Sequence, residues 1–501
     1  MKTHPFRSII STSLLLLLWG CASLSPRPAP IVSDSVEGCL AFFSFLEYQV
    51  KEAGVREASD FVVPGFPYLR ANRFLSALKN RIKDEKEREQ WLQWMRTLDL
   101  RGREKEILNL PDDRILSLQV VETAHPDRAE VSARVAFCSE KLVNHDRATE
   151  DFYALLDSTV DVPDEYSFLR RAIGLYPLAA LPVAIVNHRA VVKTESWFGM
   201  SLDQMPVLGR LKAYAPRENL PLRDEEVRAI LEDSKKNSLG VPLPDEDQGR
   251  RLIGSFAPII LQDVAASYDQ FGQAVWKGNS LEIVPENPTV YTYFSHAFWR
   301  GEPVLQINYV IWYSDRAGET PPSIEKGHID GLTYRVSLDH QGRSFMIDLM
   351  NNCGCYHLFA PAKERAEQIV SKPLRPDPFV PQWLPALPSG SRFGIRVNSG
   401  WHRVERLSAV SGPPDPILYD LAPYDQLKSL PNEKGRMENI FDSRGIVKGS
   451  DRMERFILFS MGIPKIGSMR EQGHHAIELI GRTHFDDPFL FDQSFIFKEA
   501  E

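Results

Sequence analysis

Residues 351–358 read NNCGCYHL, so the thiols of Cys353 and Cys355 are followed at the same spacing by the imidazole of His357. In an extended segment, positions i, i+2 and i+4 point to one face. Two thiolates and an imidazole then converge, a set that suits zinc or copper. Gly354 lets the backbone curve so that both sulfurs approach one ion, and a fourth ligand comes from elsewhere. His402, His475, His484 and Asp486 sit in later segments and are available. The same pair supports a redox reading, because a bridge across Cys-Gly-Cys closes a small strained ring that is easily reduced. A purely structural Cys353–Cys355 bridge, or two buried thiols beside a hydrogen-bonded histidine, explains these residues as well.

Two other stretches hold groups of the right type. His328 and Asp330 in HIDG, with His402 and Arg406 downstream, are similar to the facial triad of non-haem iron oxygenases. A turn with a solvated Asp330 accounts for HIDG equally. In HHAIELIGRTHFDD (474–487), a helix would make His474 and Glu478 i,i+4 neighbours, a candidate acid–base or ligand pair. As a strand, the same stretch sets His475, Ile477 and Leu479 on one face, and His484 and Asp486 add polar capacity beyond. Glu478 and Asp486 are the candidate catalytic carboxylates. Arg70, Arg73, Arg452 and Arg455 are candidates for holding an anion. There is no G-x-S-x-G, H-E-x-x-H, P-loop or dinucleotide fingerprint.

The elements that must position these groups fall into two regions. Residues 37–275 read as mainly helical: CLAFFSFLEYQV carries Leu40, Phe43, Leu46 and Val50 as a helical stripe, and 75–100 is rich in helix formers. The charge run 83–89 is a solvated helix face. Residues 172–186 carry no charge over fifteen positions, too few to span a bilayer. Pro177 and Pro182 are expected to break a helix there, and a buried connection is favoured over a lipid-touching surface. Residues 276–501 read as β-rich. Three hairpins are predicted at 289–314, 332–350 and 392–410, in one antiparallel sheet or a sandwich, with helical decoration. The fold class is therefore α+β.

The first twenty residues combine Lys2 and Arg7 with an apolar stretch from Ser8 to Leu18, the pattern of a secretory signal peptide. Leu18-Trp19-Gly20-Cys21 resembles the lipobox of bacterial lipoproteins, which implies lipidation at Cys21. Ala22 in place of aspartate then points to the outer membrane, facing the periplasm. Residues 21–36, with Pro26, Pro28 and Pro30, read as an extended tether. With Cys21 assigned to lipid, Cys39, Cys138, Cys353 and Cys355 remain in an oxidising compartment. A Cys39–Cys138 disulfide is one expectation, two free thiols the other. The net charge of −8 argues against nucleic acid as a partner.

The stretches VPGFPYLRANRFLSAL (63–78), NCGCYHLFAP (352–361) and GIPKIGSMREQGHHAIELIGRTHFDDP (462–488) resemble an uncharacterised family of proteobacterial exported envelope proteins, with no established activity. The resemblance implies an exported, full-length protein and supplies no mechanism. Two functions follow from the residues. One is a membrane-anchored envelope lipoprotein that binds or scaffolds an envelope component. The other is a zinc- or copper-dependent envelope enzyme, a hydrolase, centred on Cys353, Cys355 and His357.

Overall fold

Ser35 opens the first helix, α1 (Val36–Ala53), by accepting a hydrogen bond from the Gly38 N–H, and Gly54 closes it with φ at 67°. The computed structural model describes residues 33–121, 123, 125–218, 221–371 and 376–498. The expected signal peptide, Cys21 and most of the expected tether lie outside the described residues.

The chain is α+β. α1 buries Cys39, Phe42, Phe43, Leu46 and Val50 against α2 (Glu85–Asn109) and α3 (Arg128–Asp146), the last opened by an Asp127/Glu130 capping box. Cys39 and Cys138 form the expected disulfide, with Cα atoms 5.1 Å apart. The charge run opens α2 behind the Asp84 cap, but α2 also buries Asp99, Arg103 and Glu106. Those side chains close on Arg70, which pairs with Glu57, Asp99 and Glu106 at 3.1, 3.2 and 2.8 Å. Arg70 thus neutralises buried carboxylates and is not available to an anion.

A ten-stranded sheet forms the second region. We number its strands β1 (Arg210–Pro216), β2 (Ile259–Val264), β3 (Thr289–Trp299), β4 (Glu302–Arg316), β5 (Gly327–Leu338), β6 (Ser344–Asn351), β7 (Leu358–Pro361), β8 (Arg392–Val397), β9 (Val404–Val410) and β10 (Ile417–Pro423). Their order in space is β7-β6-β5-β4-β3-β10-β1-β2-β8-β9. The three predicted hairpins are present as β3–β4, β5–β6 and β8–β9. The sheet is mixed, not antiparallel throughout: β10 runs parallel to both β1 and β3, and β8 runs parallel to β2. Parallel pairing needs partners far apart in sequence, which local alternation cannot reveal. Thus β1 and β2, from the stretch expected to be mainly helical, complete a sheet begun by the later hairpins. In β4, Leu305, Ile307, Tyr309, Ile311 and Tyr313 pack into one core, while Val310 and Trp312 pack into another on the opposite face.

Residues 172–186 are not buried, and the helical course breaks at Gly174–Leu175 and not at Pro177 or Pro182. Phe168–Ile173 forms a short helix, α4, and Tyr176–Gly199 a long one, α5. Pro177 sits in the first turn of α5, where a missing N–H costs nothing, and Pro182 lies inside it. Only Thr194 and Phe198 of α5 are buried.

Candidate functional site

The Cys353–His357 segment does not continue β6 as an extended strand. Gly354 has φ at 87° and Tyr356 at 56°, so the chain reverses and the one-face argument fails. Gly354 is required here, because a Cβ would overlap the Ala476 carbonyl oxygen. His357 is held by Asp348, Nε2 to Oδ2 at 2.9 Å, and Asp348 is gripped by Arg335 through two bonds of 2.9 and 2.6 Å.

The other expected ligands go to separate places. His402 is wholly buried between Asp330 (2.8 Å) and Asp269 (3.2 Å) and stacks on Tyr313 with centroids 3.9 Å apart. Burial opposes the imidazolium, but the two carboxylates raise the His402 pKa. Burial likewise opposes the Asp330 charge, yet Arg316 and His402 hold it well below the usual carboxylate range. His475 is kept neutral by burial and by Arg470, which push its pKa down to about 3. His484 accepts the Glu165 N–H, and burial and Arg73 take it down to about 4. Asp486 pairs with Arg73 at 3.2 Å. Among the described residues, no group of three His, Cys, Asp or Glu side chains is placed to hold a metal ion. The zinc or copper reading is corrected on that ground: His357 and His402 serve buried carboxylates and His484 a backbone N–H, while His475 Nε2 is buried without a hydrogen-bond partner.

The oxygenase-like and acid–base constellations separate too. His328 turns to Asp315 and to the Leu281 carbonyl, because Ile329 with φ at 53° kinks the strand between His328 and Asp330. Arg406 donates to backbone carbonyls of Trp197 and Met200. Residues 474–485 form no helix; Ala476 and His484 pair as an isolated bridge, so His474 and Glu478 are not helical neighbours. His474 bonds instead to Glu165 (2.8 Å) and to the Ala58 carbonyl (2.7 Å). Arg452 donates to the His328 and Ile329 carbonyls.

What Cys353 and Cys355 do share is a cavity of about 630 Å³, within the range of small-molecule sites. Pro182, Val183 and Val186 of α5 wall one side; Ile457, Leu458 and Ile463 wall another. Glu325, Cys353, Tyr356, Arg403 and Glu454 bring polar groups into it. The two thiols are not bonded to each other. The Cys355 thiol donates to the Cys353 sulfur, which outweighs burial, and with Arg316 it brings the Cys353 thiol down to about 7. Glu454 goes the other way: burial, then Cys353 and Glu325, push it up to about 8, so it carries a proton at neutral pH. Glu325 accepts from Tyr356 Oη (2.7 Å), Trp401 Nε1 (2.8 Å) and Arg316 Nη1 (3.0 Å).

Arg403 is packed between aromatic rings. Its guanidinium lies 4.0 Å from the Tyr356 ring centroid and 4.8 Å from that of Trp401. Nη2 donates to Thr194 Oγ1 of α5, while Nη1 is buried without a hydrogen-bond partner, and no carboxylate among the described residues pairs with it. A buried donor left unmet costs about 1–3 kcal/mol, more if charged. Sequence reasoning singled out neighbours and missed the residues themselves. His402 precedes Arg403, and Arg452 and Arg455 flank Glu454, but only burial separates these from ordinary surface charges. No protein-family model matches this chain, and no curated protein or solved structure does either.

Proposed function

We propose that this chain is a lipid-anchored envelope protein that binds an amphiphile with one apolar chain and an anionic head, a carboxylate or a phosphate. The observation that carries this reading is the unmet Nη1 of Arg403, a residue that lines a cavity whose α5 and 457–463 walls are aliphatic. An apolar chain lies against Val183, Val186 and Ile457, and the head accepts from Nη1. Guanidinium groups suit such heads because their donors form a planar fork. Neutral Glu454 and the Tyr356–Glu325 pair leave Arg403 as the cation that faces the head. The lipobox-like residues around Cys21 and the proline-rich tether support anchoring at the outer membrane, facing the periplasm.

The test is direct binding. A long-chain fatty acid titrated into the purified protein binds tightly, and the corresponding alcohol binds at least about ten-fold more weakly, a difference of about 1.4 kcal/mol. Arg403→Met abolishes that preference and keeps the residual apolar affinity. Equal affinity for acid and alcohol in the unmodified protein removes the head-group assignment. Anchoring is read separately by mass spectrometry of the N-terminal peptide: an unmodified Cys21 ends the lipoprotein reading.

A further inference from the structure

We propose that the outer face of α4 and α5, together with residues 453–459, docks on an anionic lipid bilayer. α5 carries two apolar stripes where a helix packed on a core needs one. Ala179, Val183 and Ala190 line the cavity, whereas Leu178, Leu181, Ile185 and Val192 recur at i, i+3, i+7 and i+14 on the exposed side. The exposed stripe is continuous with neighbours. Phe168 of α4 is 83% exposed and Leu181 of α5 is 65% exposed. Phe456 and Ile457 are exposed on the adjoining segment, which is fixed to α4 by Arg171 Nε donating to the Met461 carbonyl at 2.9 Å. Val186 and Ile457 belong both to the cavity wall and to the outer surface, so face and cavity form one apolar surface. Large contiguous apolar patches on a soluble surface mark an interaction site.

Charge identifies the occupant. Residues 168–193 carry no Asp or Glu and expose Arg170, Arg189 and Lys193, Arg171 being held on backbone carbonyls, on a chain whose net charge is −8. A two-fold dimer through this face would set the same cations of two copies against one another. Anionic head groups complement them, as they do for helices lying in a membrane interface. The twelve residues 21–32 ahead of the described body reach at most about 43 Å when extended, so an anchor at Cys21 keeps this body beside the lipid. No helix among the described residues is long and apolar enough to cross a membrane, which fits a helix lying in the interface plane.

Docking goes beyond the amphiphile reading and stands or falls apart from it. The full chain is reconstituted in vesicles of phosphatidylethanolamine and phosphatidylglycerol containing a photoactivatable acyl phosphatidylglycerol. An excess of unlabelled long-chain fatty acid fills the cavity. After irradiation, adducts are mapped by mass spectrometry. The expected result is label on Leu178, Leu181 and Ile185 and on 453–459, about ten-fold above that on the solvent face of α2. The L178E/L181E/I185E variant loses this label, with unchanged thermal unfolding and fatty-acid affinity. Adducts confined to the N-terminal peptide and the tether overturn the proposal, as do cross-links between two copies across 168–193 without lipid adducts. A protein that shows no fatty-acid affinity but labels on the outer stripe refutes the cavity reading and upholds docking.

Discussion

His357 Nε2 lies 2.9 Å from Asp348 Oδ2, and that bond fixes the imidazole on a buried carboxylate that also holds Arg335. The loop histidine therefore closes an ionic network beneath the sheet and is not a ligand beside the sulfurs. Replacing Asp348 with Asn leaves Arg335 buried without its counter-charge, a loss expected to cost about 3–5 kcal/mol. His357→Gln removes one bond and costs about 1 kcal/mol. Denaturant unfolding of both variants checks the order; equal small losses would show that the network contributes little.

Cys353 and Cys355 titrate far apart because one thiol serves the other. The Cys355 thiol donates to the Cys353 sulfur, which brings Cys353 down to about 7, while that bond and burial push Cys355 well above the ordinary thiol range. The rate of iodoacetamide labelling of Cys353 should rise with a midpoint near pH 7. Cys355→Ala removes the donor and moves that midpoint upward. A midpoint unmoved by Cys355→Ala would mean that Arg316 alone sets it.

Glu454 links stability to pH with a definite sign. The folded chain keeps its proton to about pH 8, whereas the unfolded chain releases it near 4.5. Between those values the folded state binds more protons, so stability falls as pH rises through the window. Glu454→Gln cannot titrate and flattens this slope. Melting temperatures of both proteins from pH 5 to 8 decide it; parallel curves would place the titration elsewhere.

The Cys39–Cys138 bridge ties α1 to α3 across 99 positions of sequence. Closing a loop of that length contributes about 2–4 kcal/mol. The Cys39→Ala/Cys138→Ala variant should lose that much in urea unfolding, and reductant should lower the parent to the same midpoint. A variant as stable as the parent would assign the cohesion of α1 and α3 to their apolar contacts alone.

Several features were legible in the sequence because they are local. Helical periodicity placed α1, and period-two alternation placed the three hairpins, since each depends on residues a few positions apart. Counting thiols left a Cys39–Cys138 bridge and two free thiols as alternatives, and the structure forms the bridge. By contrast, nothing in the sequence around Arg70 (YLRAN) or Arg403 (WHRVE) says what each will meet. One meets three carboxylates, and the other lines a cavity and has a buried Nη1 without a hydrogen-bond partner.

The sequence by itself determined the α+β class, the hairpins of the sheet and the run of uncharged residues at 172–186. Tertiary structure alone decided that this run lies on the outside, that β1 and β2 complete the sheet by pairing with strands distant in sequence, and that the candidate histidines go to separate places. The reason is physical. Periodicity records which side of one element is apolar, and neighbouring residues determine that locally. What covers that side, and which charge a buried side chain meets, depends on chain segments up to hundreds of residues away. Val183 and Leu181, two positions apart on α5, illustrate the limit: equally apolar in sequence, one walls a cavity and the other faces outward.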